Sequence, residues 1–151
     1  MMKKTFDDKE IPEEVFEVEV KFDLDTFNKQ KQLWKESNVK DYKFVYKEGY
    51  DFEDEITVKD GINMRHESNA TIDSIYEEIE NAFHESNKKR HSPNDLYLYE
   101  IDVEYDEINH IPIEYNFYFS DDETVVLDRR FAIIEDFEKV TFNPQPGKTR
   151  T

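Results

Sequence analysis

Four carboxylates stand two residues apart in one short stretch: Glu100, Asp102, Glu104 and Asp106. In an extended chain alternate side chains share a face, and successive members of such a set lie about 7 Å apart. That spacing spreads negative charge along a line instead of gathering it on one ion. A calcium loop folds its carboxylates onto the metal through a turn, usually with a glycine, and this stretch has none. The pattern reads as an acidic sheet face, receptive to Lys or Arg on a partner, rather than as a metal site. Asp121-Asp122-Glu123 reads in the same way as a polar hairpin turn.

Other reactive chemistry is sparse. His66, His84, His91 and His110 are scattered without the paired spacing of a zinc site and read as surface histidines. The chain has no cysteine, which removes disulfides, thiolate nucleophiles and cysteine-ligated metals. No nucleophile-elbow pattern surrounds a serine, and three glycines leave no loop to cradle a phosphate. With 37 acidic residues some close Asp/Glu pair is expected anywhere, so a pair alone does not mark a hydrolase. No metal and no cofactor are expected.

Charge narrows the partners. There are 37 acidic against 20 basic residues in 151, a net charge of −17, which opposes nucleic acid phosphates and anionic lipid. Lys88-Lys89-Arg90-His91 is the local exception and reads as positive charge set after a helix C-terminus, where it complements the helix dipole. Arg129-Arg130 should pair with carboxylates on neighbouring strands. No run of about 18 apolar residues exists, and the opening Met-Met-Lys-Lys-Thr-Phe turns acidic at once. No membrane span and no signal peptide are read. A cytoplasmic location is the expectation, with the cell envelope or secretion as the alternative if a leader once preceded the chain.

The elements that must position these residues follow from periodicity. Residues 1–14 read as a mobile lead-in, 15–140 as a single α+β domain, and 141–151 as a disordered tail. Phe16 to Leu24 alternates as a half-buried strand, and Asp25 or Thr26 suits the cap of a helix that carries Phe27, Lys31 and Trp34 to Ser37-Asn38. Tyr42 to Tyr46 and Phe52 to Lys59 read as strands divided near Gly49. Asp60-Gly61 suits a type I′ hairpin turn, returning Ile62 to His66 antiparallel. Thr71 or Asn69 caps a second helix with Ile72, Ile75, Tyr76, Ile79 and Phe83 as its apolar stripe, Glu77, Glu78 and Glu80 facing water. His84 to Asp95 reads as a loop.

Three alternating runs complete a meander: Tyr97 to Tyr105, Ile113 to Phe119, and Val125 to Ile133, with turns around Asn109-His110 and Asp121-Asp122. The whole is a mostly antiparallel sheet of six or seven strands with two helices packed on one face. With 12 Phe, 9 Tyr and one Trp, large rings should dominate its core. The expected core is Trp34, Tyr42, Phe44, Ile56, Ile72, Ile75, Ile79, Phe83, Ile101, Val103, Phe117 and Phe131. Tyr99, Ile101, Val103 and Tyr105 should face it, leaving the four carboxylates on the opposite side.

From about Leu33 to Phe137 the chain resembles an uncharacterised family of small bacterial domains, often found behind lipoprotein-type leaders. The resemblance rests on Leu33-Trp34 ahead of Asp41-Tyr42, Thr57-Val58-Lys59-Asp60-Gly61, Thr71-Ile72-Asp73-Ser74-Ile75-Tyr76, and Val103-Glu104-Tyr105-Asp106 followed by Ile111-Pro112-Ile113. It implies an α+β sheet domain and brings no established activity or catalytic residues. The functional expectation is a non-enzymatic acidic binding or accessory domain that recognises a basic protein or peptide through Glu100, Asp102, Glu104 and Asp106. An acidic inhibitor or immunity-type protein covering a basic enzyme is the alternative, and a hydrolase using an Asp/Glu pair the third reading.

Overall fold

Alternation along the chain becomes a sheet because its aromatic and β-branched positions repeat every second residue and can share one covered face. The computed structural model describes residues 15–64, 68–122 and 125–142. The lead-in 1–14, His66, Glu123 and the tail from 143 lie outside the described residues. Within them come β1 (Phe16–Val18), α1 (Leu24–Ser37), β2 (Tyr42–Glu48), β3 (Phe52–Lys59), β4 (Ile62–Asn63), α2 (Ile72–Ser86), β5 (Lys89–His91), β6 (Tyr97–Asp106), β7 (Ile111–Ser120) and β8 (Asp128–Lys139). Six of these strands form an antiparallel sheet in the order β4-β3-β2-β8-β7-β6, and β1 pairs with β5 in a separate two-stranded sheet. The fold is α+β and mostly sheet. Phe27 and Trp34 of α1 and the Ile72-Ile75-Tyr76-Ile79-Phe83 stripe of α2 join Tyr42, Phe44, Ile56, Ile101 and Tyr115 in one apolar cluster, so both helices cover the same sheet face.

Local chemistry sets the ends of these elements. Asp23 caps α1, its carboxylate accepting from the Thr26 N–H at 3.1 Å and the Thr26 hydroxyl at 2.8 Å. The expected cap at Asp25 or Thr26 is therefore displaced, Thr26 being the donor. Asn38 ends the helix in the left-handed region at φ 56. Thr71 and Ser74 close a reciprocal capping box on α2.

Asp60 and Gly61 take φ values of 54 and 77, and Lys59 stands opposite Ile62, which is the two-residue hairpin the dipeptide predicts. A Cβ on Gly61 would meet only the Lys40 side chain at 3.9 Å, so any penalty there comes from the backbone and not from crowding. Gly61→Val should cost on the order of 1 kcal/mol or more, because a β-branched residue is strained at positive φ. An unchanged melting temperature would contradict this assignment.

Five further expectations are corrected. The run from Phe16 to Leu24 is a strand only over Phe16–Val18; Asn87 Oδ1 then accepts the Val20 N–H at 3.0 Å, and Leu24 already belongs to α1. Its alternation arises because Val18 and Val20 enter different apolar clusters. The expected loop from His84 to Asp95 contains the last residues of α2 and β5, which pairs with β1. β8 starts at Asp128, and Val125 and Leu127 before it are exposed.

The fourth correction is the face of β8: Ala132 opposes Tyr115 and Ile134 opposes Tyr46, so residues 132 and 134 meet the helices, and beyond Asp136, at φ 56, Phe137 turns in to Trp34. Phe131 lies on the other side, half-buried under Tyr50 at 5.0 Å and Arg129 at 4.2 Å. Its large ring gives that strand a second apolar phase, which alternation alone cannot rank. The fifth is Tyr99, which leaves the main core because a bulge between Leu98 and Glu100 breaks the alternation; Leu98 enters the core instead. Val103 is only half-buried.

Candidate functional site

Strand β6 lies at one edge of the six-stranded sheet, which decides what its carboxylates can do. Between the two register shifts of the β6–β7 pairing Glu100, Asp102 and Glu104 stand opposite Tyr118, Asn116 and Glu114 of β7, all on the face away from the helices. Asp102 and Glu104 are exposed and Glu100 is half-buried. Beyond Glu104 the pairing skips Ile113 of β7, and Asp106 leaves the row for the β6–β7 turn. Its carboxylate accepts from the N–H groups of Ile108 and Asn109 and from the Asn109 side-chain amide at 2.9 Å, locking the β6–β7 turn. Burial works against the Asp106 carboxylate, but these donors outweigh it and hold the pKa below the usual value. Asp106 is a turn residue, and three of the four expected carboxylates remain together.

Around them the countercharge is small. Arg129 donates from Nε to Asn116 Oδ1 at 2.7 Å and reaches Glu114 at 3.8 Å, so the expected cross-strand partner of Arg129 is found. Arg130 instead meets Asp128 on its own strand at 3.4 Å. None of Glu100, Asp102 and Glu104 has an ion-pair partner among the described residues. Burial and the Asp102 charge push the Tyr118 phenol above its usual pKa, with Arg129 acting against them.

The open side of β6 is partly covered. The Lys21 N–H donates to the Tyr99 carbonyl, and the Ile101 N–H donates to the Lys21 carbonyl, both at 2.9 Å. Backbone groups alternate in direction along a strand, so Val103 presents its N–H and C=O to the same side as Ile101. Among the described residues nothing pairs with them. Next to this edge Phe22, Asp23, Thr26, Asp102 and Tyr105 line a hollow of about 310 Å³.

A larger cleft of about 650 Å³ lies on the helix side, between α2 and the inner face of β7 and β8. Leu98, Phe117, Phe119 and Ala132 give it an apolar floor, and Glu48, Glu78 and Glu85 bring carboxylates to it. Glu78 reaches water, as expected. Although the residue keeps exposed surface, its Oε1 accepts from the Tyr115 hydroxyl at 3.1 Å, and Tyr115 touches the Tyr46 hydroxyl at 3.2 Å. Burial pushes the Glu78 pKa up, the Tyr115 hydrogen bond opposes it, and the Glu48 charge adds to it. Burial also pushes the Tyr46 phenol up to about 12. The only sequence sign of this site is that Glu78 borders the apolar stripe beside Ile75 and Ile79.

A raised carboxylic pKa favours folding fully below the unfolded-state pKa, and that contribution is lost as pH rises through the folded-state value. Glu78→Gln should therefore raise the melting temperature relative to wild type at pH about 8 and leave the difference near zero at pH about 4. Equal differences at the two pH values would contradict the desolvated carboxyl. Glu80, also expected in water, pairs with Lys31 of α1 at 2.5 Å.

The histidines divide. His84 is exposed, 3.8 Å from Glu80. His110, at φ 62 in the β6–β7 turn, contacts Gln30 Oε1 through Nδ1 at 3.0 Å, and its carbonyl accepts from the Tyr76 hydroxyl at 2.7 Å. His91 is half-buried in β5 and stacks on Tyr97 with ring centres 4.9 Å apart. These two fix packing and are not surface residues. Among the described residues no three His, Asp or Glu side chains gather to hold a metal ion, and no helix is long and apolar enough to cross a membrane.

Comparison with protein-family models, with curated proteins and with solved structures finds no match for this chain.

Proposed function

We propose that the chain is a non-enzymatic binding or accessory domain that takes a basic protein or peptide segment in extended form along the edge of β6. The observation that carries this reading is the coincidence of an uncovered backbone position at Val103 with the exposed carboxylates of Asp102 and Glu104 on either side of it. An added strand gains main-chain hydrogen bonds from such an edge, and alternate side chains on one of its faces fall beside the carboxylate row. Lys or Arg at those positions finds charge that has no partner of its own among the described residues, while strand edges generally need some such device against unwanted pairing.

The test uses an alternating lysine–valine peptide, titrated into wild type and into the Asp102→Asn/Glu104→Gln protein at low and high salt. The variant should keep the fold, associate several-fold more slowly, and lose less affinity than wild type as salt rises. Equal affinities and equal salt slopes would reduce the row to a solvated sheet face.

A further inference from the structure

The cleft on the helix side has no part in that reading, and its lining is of mixed character in an ordered way. We infer that it binds a small organic cation, an ammonium group on an aromatic or branched aliphatic body.

Its volume of about 650 Å³ is that of a small-molecule site, where an apolar wall with a few convergent polar groups is usual. Phe117, Phe119 and Leu98 supply the apolar wall, and the Tyr50 ring, 88% exposed, stands at the rim edge-on to Phe131. The charges decide the sign of the ligand. Arg129 and Arg130 also border the cleft, but Arg130 reaches Asp128 at 3.4 Å and lies over the Phe119 ring at 4.9 Å, and Arg129 is turned to Asn116 and Glu114. Glu48, Glu78 and Glu85 have no ion-pair partner among the described residues.

Glu78 is also held in place. The Tyr115 hydroxyl fixes its Oε1 and is itself held against Tyr46, which leaves Oε2 for an outside donor. An anion would meet three carboxylates against two arginines that already have acidic neighbours, and a neutral hydrocarbon would seal Glu78 from water without countercharge. An ammonium answers both conditions, and aromatic faces around it add cation–π attraction. Because the bound cation favours ionised Glu78, affinity should rise with pH through the Glu78 titration.

The probe is phenethylamine, compared with phenethyl alcohol and hydrocinnamate, each followed by amide chemical shifts of the isotope-labelled protein. The amine alone should saturate shifts at Leu98, Asn81 and Ala132, and Glu78→Gln should weaken it by about tenfold, which is about 1.4 kcal/mol. Glu48→Gln gives a second, independent loss, while Glu36→Gln on the exposed side of α1 should change nothing. The inference is overturned if the alcohol binds as well as the amine, if the amine shifts map outside the cleft, or if Glu78→Gln and Glu48→Gln both keep wild-type affinity with dispersed native spectra.

Discussion

Replacing Trp34 with alanine should cost about 3–5 kcal/mol of folding stability, the largest loss expected from any single change discussed for this chain. The indole is 3% exposed and meets Tyr42 and Phe137 edge-on, at 5.4 and 6.0 Å between ring centres. Its Nε1–H donates to Asp73 at 2.9 Å, which ties α1 to the first turn of α2. Alanine therefore opens a cavity where both helices and the sheet meet. Trp34→Phe keeps a ring against Tyr42 and should lose less. Denaturant unfolding followed by circular dichroism is the suitable measurement, since the variant lacks the chain's single tryptophan. A loss below about 1 kcal/mol in the alanine variant would contradict this packing.

Tyr42→Phe should cost about 1–3 kcal/mol although it removes one oxygen. That oxygen accepts the Ile72 N–H at 2.9 Å, and both residues are fully buried. Ile72 opens α2, so its N–H has no acceptor inside the helix. Burial pushes the Tyr42 phenol above its usual pKa, with the Ile72 hydrogen bond acting against it. Without the hydroxyl a buried donor stands alone, and the start of α2 should fray. Faster hydrogen exchange at Ile72, together with the lower stability, checks the prediction; an unchanged Ile72 amide would contradict it.

What was legible in the sequence is what short-range chemistry dictates. Asp60-Gly61 specifies its turn because few residues tolerate two successive positive φ values, and Thr71 announces α2 because its hydroxyl finds the N–H three residues on. The apolar stripe of α2 was legible for the same reason, a single period held over about three turns from Ile72 to Phe83. Contacts made across strands were not. A bulge at Tyr99 depends on how β7 pairs with β6 and moves that ring out of the main core, and the hydrogen bonds of the β6–β7 turn take Asp106 out of the acidic row. The face of β8 was ambiguous because Phe131 outweighs Ala132 in hydrophobicity, whereas the structure needs a small residue opposite Tyr115. Glu78 reaches water, as its place beside the stripe implies, but its hydrogen bond from Tyr115 depends on how β7 packs beneath α2 and was not legible.

The most direct test of the edge-binding account is hydrogen exchange at the Val103 amide, with and without the lysine–valine peptide at saturating concentration. The account predicts that Val103 exchanges freely in the unbound protein and becomes protected on binding, while amides on the β3 side of the sheet keep their rates. Protection elsewhere with Val103 unchanged would contradict it.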